Sequence, residues 1–178
     1  MKNTLSILLS TAAIAVASSA FAADAEVKSK VEYKKNGGYE TTRDVDSTNA
    51  SGTKVTSNSD VDVSVDSKGL IERTDKSESK SDAKGLMNAK KTKTKTHYEE
   101  KADGGYDAES KTTSTNAAGT NVTSKTTKDV DVDARGNVSA TDTVKKTVDP
   151  KGLLNSKTST DKVKTVNGTV VDQKKKID

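Results

Sequence analysis

The chain has no cysteine, no tryptophan, one phenylalanine, one proline and four tyrosines in 178 residues. Each shortage removes a class of protein. Without cysteine there is no disulfide framework, no thiolate metal site and no lipid-modified cysteine behind a leader. The only phenylalanine is Phe21, so aromatic surface beyond it rests on Tyr33, Tyr39, Tyr98 and Tyr106. Leu, Ile, Val and Phe make up about 15% of the residues from Ala23 onward, below the roughly 20% that marks too little apolar material for an ordinary globule. At about 25 cal/mol per Å², that area does not offset the ordering cost of a thick dry interior. Catalytic material is equally scarce. His97 is the sole histidine, it follows a Lys-Thr run, and no glycine-rich phosphate loop opens a helix, so no enzyme is expected. The formal charge is +4 with both signs interleaved, unlike the concentrated basic stripe of a nucleic-acid binder.

What is present begins with a leader. Lys2 supplies a positive start, Leu5 to Val16 an apolar stretch, and Ala20-Phe21-Ala22 a small-x-small cleavage pattern. Residues 1–22 therefore read as a bacterial-type signal peptide cut before Ala23. The stretch is short for a membrane span and no second one follows. The expected product is exported, to the periplasm, the cell surface or the medium, with no transmembrane segment after cleavage.

The remainder contains itself twice. A shift of about 67 residues aligns Gly37–Tyr98 with Gly104–Thr165 without a gap, and roughly 26 of 62 positions are identical. Gly37-Gly38-Tyr39 matches Gly104-Gly105-Tyr106, and Ser47-Thr48-Asn49-Ala50 matches Ser114-Thr115-Asn116-Ala117. The organisation expected is a strand segment over 23–36, a first copy over 37–103, and a second over 104–178 that ends in a strand and a basic tail. A finer period lies inside. Turns of the form Asn/Asp-x-x-Gly recur at Asn49–Gly52, Asp66–Gly69, Asp82–Gly85, Asn116–Gly119, Asp133–Gly136 and Asp149–Gly152. The first side chain accepts hydrogen bonds from the backbone two residues on, and the glycine closes a three-residue hairpin loop. Asn36-Gly37, Asp103-Gly104 and Asn167-Gly168 read as two-residue turns.

Between turns the pattern alternates. Val61, Val63 and Val65 fall on one face and Asp60, Asp62 and Ser64 on the other, the period of a half-buried strand. Thr92, Thr94 and Thr96 alternate with Lys91, Lys93 and Lys95, a β-branched pattern suited to a wetted pleat. The fold expected is all-β: an elongated antiparallel up-and-down meander of about ten polar strands, in a single layer or curled. A membrane barrel lacks its apolar band, and a sandwich lacks a continuous inner face. The Lys, Thr, Asp and Gly composition with long polar strands resembles the single-layer sheet of spirochaete outer surface proteins. Asp133-Ala-Arg-Gly-Asn-Val138 and Asp149-Pro-Lys-Gly-Leu153 resemble the turn of the YD repeats of large secreted bacterial shells. The chain departs from the first by lacking a lipobox cysteine, and from the second by having Val65, Val132 and Val148 where a tyrosine precedes the Asp.

Two chemistries remain open. Asp60, Asp62 and Asp66, with Asp129, Asp131 and Asp133, line carboxylates along a strand in each copy, oxygen ligands of the kind calcium takes. Lys68 and Arg135 stand at what would be the third ligand position, and pairing of Asp with Lys on neighbouring strands is the plainer reading. A flat hydroxyl array built on Thr92–Thr96 is interrupted, because those residues align with Ser159–Val163. The function expected is therefore a non-enzymatic structural or surface-interaction protein: a spacer, adhesin or matrix component. Its partners would be copies of itself or cell-envelope and extracellular polymers, with no cofactor. The alternatives are a periplasmic calcium-binding module and a largely disordered secreted polyampholyte.

Overall fold

A computed structural model describes residues 22–83, 89–152 and 156–178. The leader expected over 1–22 lies outside these residues apart from Ala22, and so does Gly85 of the third expected turn. The described chain is all-β, with ten strands: β1 (Ala22–Tyr33), β2 (Tyr39–Asn49), β3 (Lys54–Val65), β4 (Ile71–Asp82), β5 (Lys90–Glu100), β6 (Tyr106–Thr115), β7 (Asn121–Val132), β8 (Val138–Asp149), β9 (Lys157–Val166) and β10 (Thr169–Ile177). They form one open sheet whose spatial order is the chain order. Every pairing is antiparallel. Each strand packs only against its sequence neighbours, and β1 and β10 are the two edges. The sheet passes from the first copy to the second without a break, through the pairs Lys91↔Thr115 to Glu100↔Tyr106 of β5 and β6.

The turns are built as their residues dictate. At Asp133 the side-chain Oδ1 accepts the N–H groups of Arg135 and Asn137, both at 2.8 Å. Gly136 donates its N–H to the Asp133 carbonyl at 2.9 Å and sits at φ +82°, a conformation that costs a residue with a Cβ about 1–2 kcal/mol. Asp66 repeats the arrangement, its Oδ1 taking the N–H groups of Lys68 and Leu70 at 2.8 Å each. Asn49 does so with Ser51 and Thr53 at 3.0 and 2.9 Å. Two expectations are corrected. Asp82–Gly85 and Asp149–Gly152 do not close three-residue loops: the pairs Ser81↔Lys90 and Val148↔Lys157 enclose eight residues each, and the longer connection lets those strands meet further along the chain. Asn36-Gly37 and Asp103-Gly104 are not two-residue turns. Lys34 N–H reaches the Gly38 carbonyl at 2.8 Å and Lys101 N–H the Gly105 carbonyl at 2.9 Å, which encloses three residues. The reason is that only the glycine of each pair is left-handed. Asn36 and Asp103 keep ordinary φ and use Oδ1 to accept the N–H of Gly38 at 3.2 Å and Gly105 at 2.9 Å. Asn167-Gly168 is the two-residue type I′ turn expected, with φ +48° and +79°.

These turns set the register, and the register sorts the side chains. Val31, Thr41, Val61, Asp75, Thr96 and Ser110 lie in one row across six strands. The next rows bring Ser59, Ser77, Thr94 and Thr112 together, and Val45, Ser57, Ser79, Thr92 and Ser114. This side is rich in hydroxyls and valines, with the ion pairs Arg73–Asp75 and Lys128–Asp142 set among them. The opposite side carries the denser charge, with Lys76 across from Asp60 and Lys91, Lys93 and Lys95 in file on β5. What core exists lies on the hydroxyl face. Val45, Val63 and Val130 are 8%, 8% and 6% exposed, the buried hydrophobics among the described residues. Tyr98 and Tyr106 stack at 5.4 Å between ring centres on the same face, a contact of about 0.5–1.5 kcal/mol beyond its area.

Two glycines test which constraint is tighter. A Cβ on Gly136 meets nothing within 4 Å, so Gly136→Ala carries the left-handed cost alone, about 1 kcal/mol. A Cβ on Gly105 would run into the Val130 carbonyl oxygen and push β7 away, at about 2–3 kcal/mol. Thermal melts should therefore rank Gly105→Ala well below Gly136→Ala, although Gly105 has no positive φ; equal melting temperatures would contradict this packing.

Candidate functional site

The densest charge cluster lies on the charged face where β5, β6 and β7 adjoin. Lys101 leaves the end of β5 and reaches over β6 to β7. Its Nζ donates to Asp129 Oδ1 at 2.6 Å and Asp131 Oδ1 at 2.8 Å, and stands 3.1 Å from Asp107 Oδ1. The ammonium is only one-quarter exposed while the carboxylates are more than half exposed. The hydrogen bonds Lys101 donates to Asp129 and Asp131 raise its ammonium well above its usual range, and the Lys101 contact lowers the Asp129 carboxyl. At the corresponding place 67 residues earlier Lys34 bonds Asp62 at 2.6 Å, while Glu40 and Ser64 stand where Asp107 and Asp131 do.

The six carboxylates read from the sequence as calcium ligands thus have other work. Asp129 and Asp131 share Lys101, and Asp62 has Lys34. Asp60 stands across from Lys76 on β4. Asp66 and Asp133 hold turn backbone, and Asp133 Oδ2 also accepts Asn137 Nδ2 at 2.8 Å. Among the described residues no three His, Cys, Asp or Glu side chains come together as a metal site. Lys101 is a built-in cation at the point where Asp107, Asp129 and Asp131 converge, and it partly neutralises all three. Cross-strand pairing of acid and base is found elsewhere, with Glu78 held by Lys91 and Lys93 at 2.7 Å each and Glu109 by Lys125 at 2.8 Å. Such exposed pairs contribute about 0.2–1 kcal/mol each.

His97 lies on the charged face with its Nδ1 3.2 Å from Thr74 Oγ1 and Glu72 and Glu99 carboxylates at 3.9 and 4.0 Å.

The hydroxyl face holds the feature that reading along the sequence missed. Thr92 Oγ1 stands 3.3 Å from Ser114 Oγ, Thr94 Oγ1 3.2 Å from Thr112 Oγ1, and Thr96 Oγ1 3.4 Å from Ser110 Oγ. Ser77 and Ser79 extend these rows on one side, and Ser124 and Thr126 on the other. The array runs across strands, from β5 to β6, and does not recur 67 residues further along the chain. The signal was available: a three-residue loop after Lys101 fixes Glu100 opposite Tyr106, and every Thr–Ser pair of β5 and β6 follows. Beside the array a groove of about 290 Å³ opens between Val31, Arg43, Val61, Ser77 and Thr94. Ser57 Oγ, in a residue 5% exposed, has no hydrogen-bond partner among the described residues. No protein-family model, no curated protein and no solved structure matches the chain.

Two predictions follow from the charged face. Asp103, Asp129, Asp133 and Glu78 are held below the usual carboxylate range by, respectively, the Gly105 and Val132 N–H groups, Lys101, Asn137 and Lys91 with Lys93. A depressed carboxyl stabilises the fold above its unfolded value of about 4 and stops doing so as pH falls through the folded value. The melting temperature should hold from neutral pH to about 5 and fall below about 4. Asp103→Asn, which copies the Asn36 of the first repeat, should narrow the gap between the melts at pH 7 and pH 3. Lys101→Ala should lower the neutral melt, by about 1 kcal/mol for the exposed carboxylates left facing each other, and calcium should recover part of that loss while leaving the unaltered protein's melt where it was.

Proposed function

We propose that the chain is an exported, non-catalytic scaffold that works through its surface: a polar β-sheet spacer or adhesive module built from two tandem copies of a four-strand unit. The observation that carries this reading is the sheet itself. Ten strands lie in one open array with three buried hydrophobics among the described residues, and each side is a different chemical surface. A protein organised this way invests its length in area. The bounds of β3 and β4 recur about 67 residues later as those of β7 and β8, so duplication lengthens the sheet by whole strands and keeps the face assignment.

The hydroxyl face is the side suited to a hydroxyl-rich extracellular polymer. Its Oγ groups recur at the inter-strand spacing of about 4.8 Å, and its valines supply contact area for the apolar faces of sugar rings. The charged face, with acid and base paired, keeps the sheet soluble and in register.

Expression of the full sequence with its own leader tests both parts. The expected product begins at Ala23, lies outside the cytoplasm and sediments with isolated cell-envelope polymer. Thr94→Glu with Thr112→Glu should abolish that sedimentation without loss of the β-sheet circular dichroism signal. Retention in the cytoplasm with an intact leader would overturn export. A processed monomer that binds neither envelope, polymer nor itself would overturn the scaffold.

A further inference from the structure

The β1 edge carries a self-complementary charge order. From Asp24 to Glu32 its even-numbered residues lie on the charged face and read Asp24, Glu26, Lys28, Lys30, Glu32, so the stretch Asp24–Lys30 is two acids followed by two bases. Reversed, that order is its own complement. Two copies of β1 laid antiparallel with Val27 opposite Val27 place Asp24 against Lys30 and Glu26 against Lys28, and the two-fold axis repeats both pairs. On the hydroxyl face the same register sets Ala25 beside Ser29. The arrangement is specific. A slip of one residue exchanges the faces, and a slip of two puts Glu26 on Glu26 or Lys28 on Lys28.

Along β1 the charges pair within the strand, Lys28 Nζ with Glu26 Oε1 at 3.1 Å and Lys30 with Glu32, and all four side chains are more than half exposed. Across β2, Lys28 faces Asp44, Glu26 faces the like-charged Asp46 and Lys30 faces Thr42, so the outer side of the strand stays open to a partner's charges. Val27 and Val31, 53% and 51% exposed, are the apolar side chains that a further strand would flank. Both edges are exposed along their described length and both carry one irregularity, between Ala22 and Asp24 on β1 and between Val170 and Asp172 on β10; β10 adds three consecutive lysines at Lys174–Lys176, a device that discourages strand addition.

We infer that two copies of this chain pair through β1 into a two-fold dimer with one continuous sheet. The inference deepens the scaffold reading by making a second copy one of its partners, and it can fail while that reading stands. A rival head-to-tail contact of β1 with β10 also matches charges, with Lys176, Lys174 and Asp172 against Asp24, Glu26 and Lys28. Its ladder ends at the β10 irregularity after about six residues and it is not closed by a two-fold axis, whereas the β1 pair keeps register from Asp24 to Lys30 and repeats each charge pair by symmetry.

Sedimentation velocity on the purified exported protein decides the matter, with circular dichroism reporting the fold. The expected result is a dimer that weakens with salt. Glu26→Lys alone and Lys28→Glu alone should each raise the dimer dissociation constant by about tenfold or more, because each turns two attractive pairs repulsive. The double exchange Glu26→Lys with Lys28→Glu should restore the dimer, and an equimolar mixture of the two single variants should form a heterodimer. A monomer at all concentrations, or single reversals that leave the dimer intact, would overturn the pairing. Species larger than a dimer that the double exchange dissolves would establish the β10 contact in its place. Polymer sedimentation of the monomeric variants reads the scaffold separately: binding retained by a monomer keeps that reading without the dimer.

Discussion

A backbone amide can leave bulk water only if it finds a partner, and this chain has almost no interior in which to hide one that has not. The strand-to-strand ladder therefore carries the fold, and the ladder is only as regular as the bends that start it. In each three-residue bend an Asn or Asp oxygen gathers N–H groups that would otherwise point into the loop, while one left-handed glycine returns the chain to its neighbour. Register, face assignment and the position of every paired charge follow from where those bends close. The few buried valines refine the result; they do not create it.

That dependence explains what the sequence made legible. The turn spacing was enough for about ten strands in meander order, and the alternation of Val61, Val63 and Val65 with Asp60, Asp62 and Ser64 for the faces, because both are local properties of the chain. The strand bounds were not fully legible, since the connections that begin at Asp82 and Asp149 enclose eight residues. The turn at Asn36 was misread because Asn-Gly serves two loop lengths. What separates them is whether the Asn backbone or its side chain does the work, and the letters are the same. The Lys101 cluster was invisible for a different reason. A long side chain leaving a loop and crossing one strand to reach the next joins residues about 30 apart, and no period connects them. The hydroxyl array sat between these cases: local in geometry once the register is fixed, but spread over four strands in sequence.

The two faces divide the physical tasks. Pairs such as Glu78 with Lys91 and Lys93 set like charge apart and unlike charge together, which keeps a thin sheet from sticking to others at random. The hydroxyl face holds the little apolar surface the chain owns, mixed with groups that remain content in water. A sheet of this composition is able to stand open, where one richer in leucine or phenylalanine would have to fold over on itself.

Because every strand touches only the one before and the one after it, and because the first and last strands are the outermost ones, a pull applied between the two ends meets the ladder at its weakest angle. The hydrogen bonds come under load one pair after another, never all together, so the molecule would peel hairpin by hairpin and pay out slack in even lengths. For something that tethers one body to another, that is compliance under tension: stretch comes long before rupture, and each hairpin can close again when the strain is released.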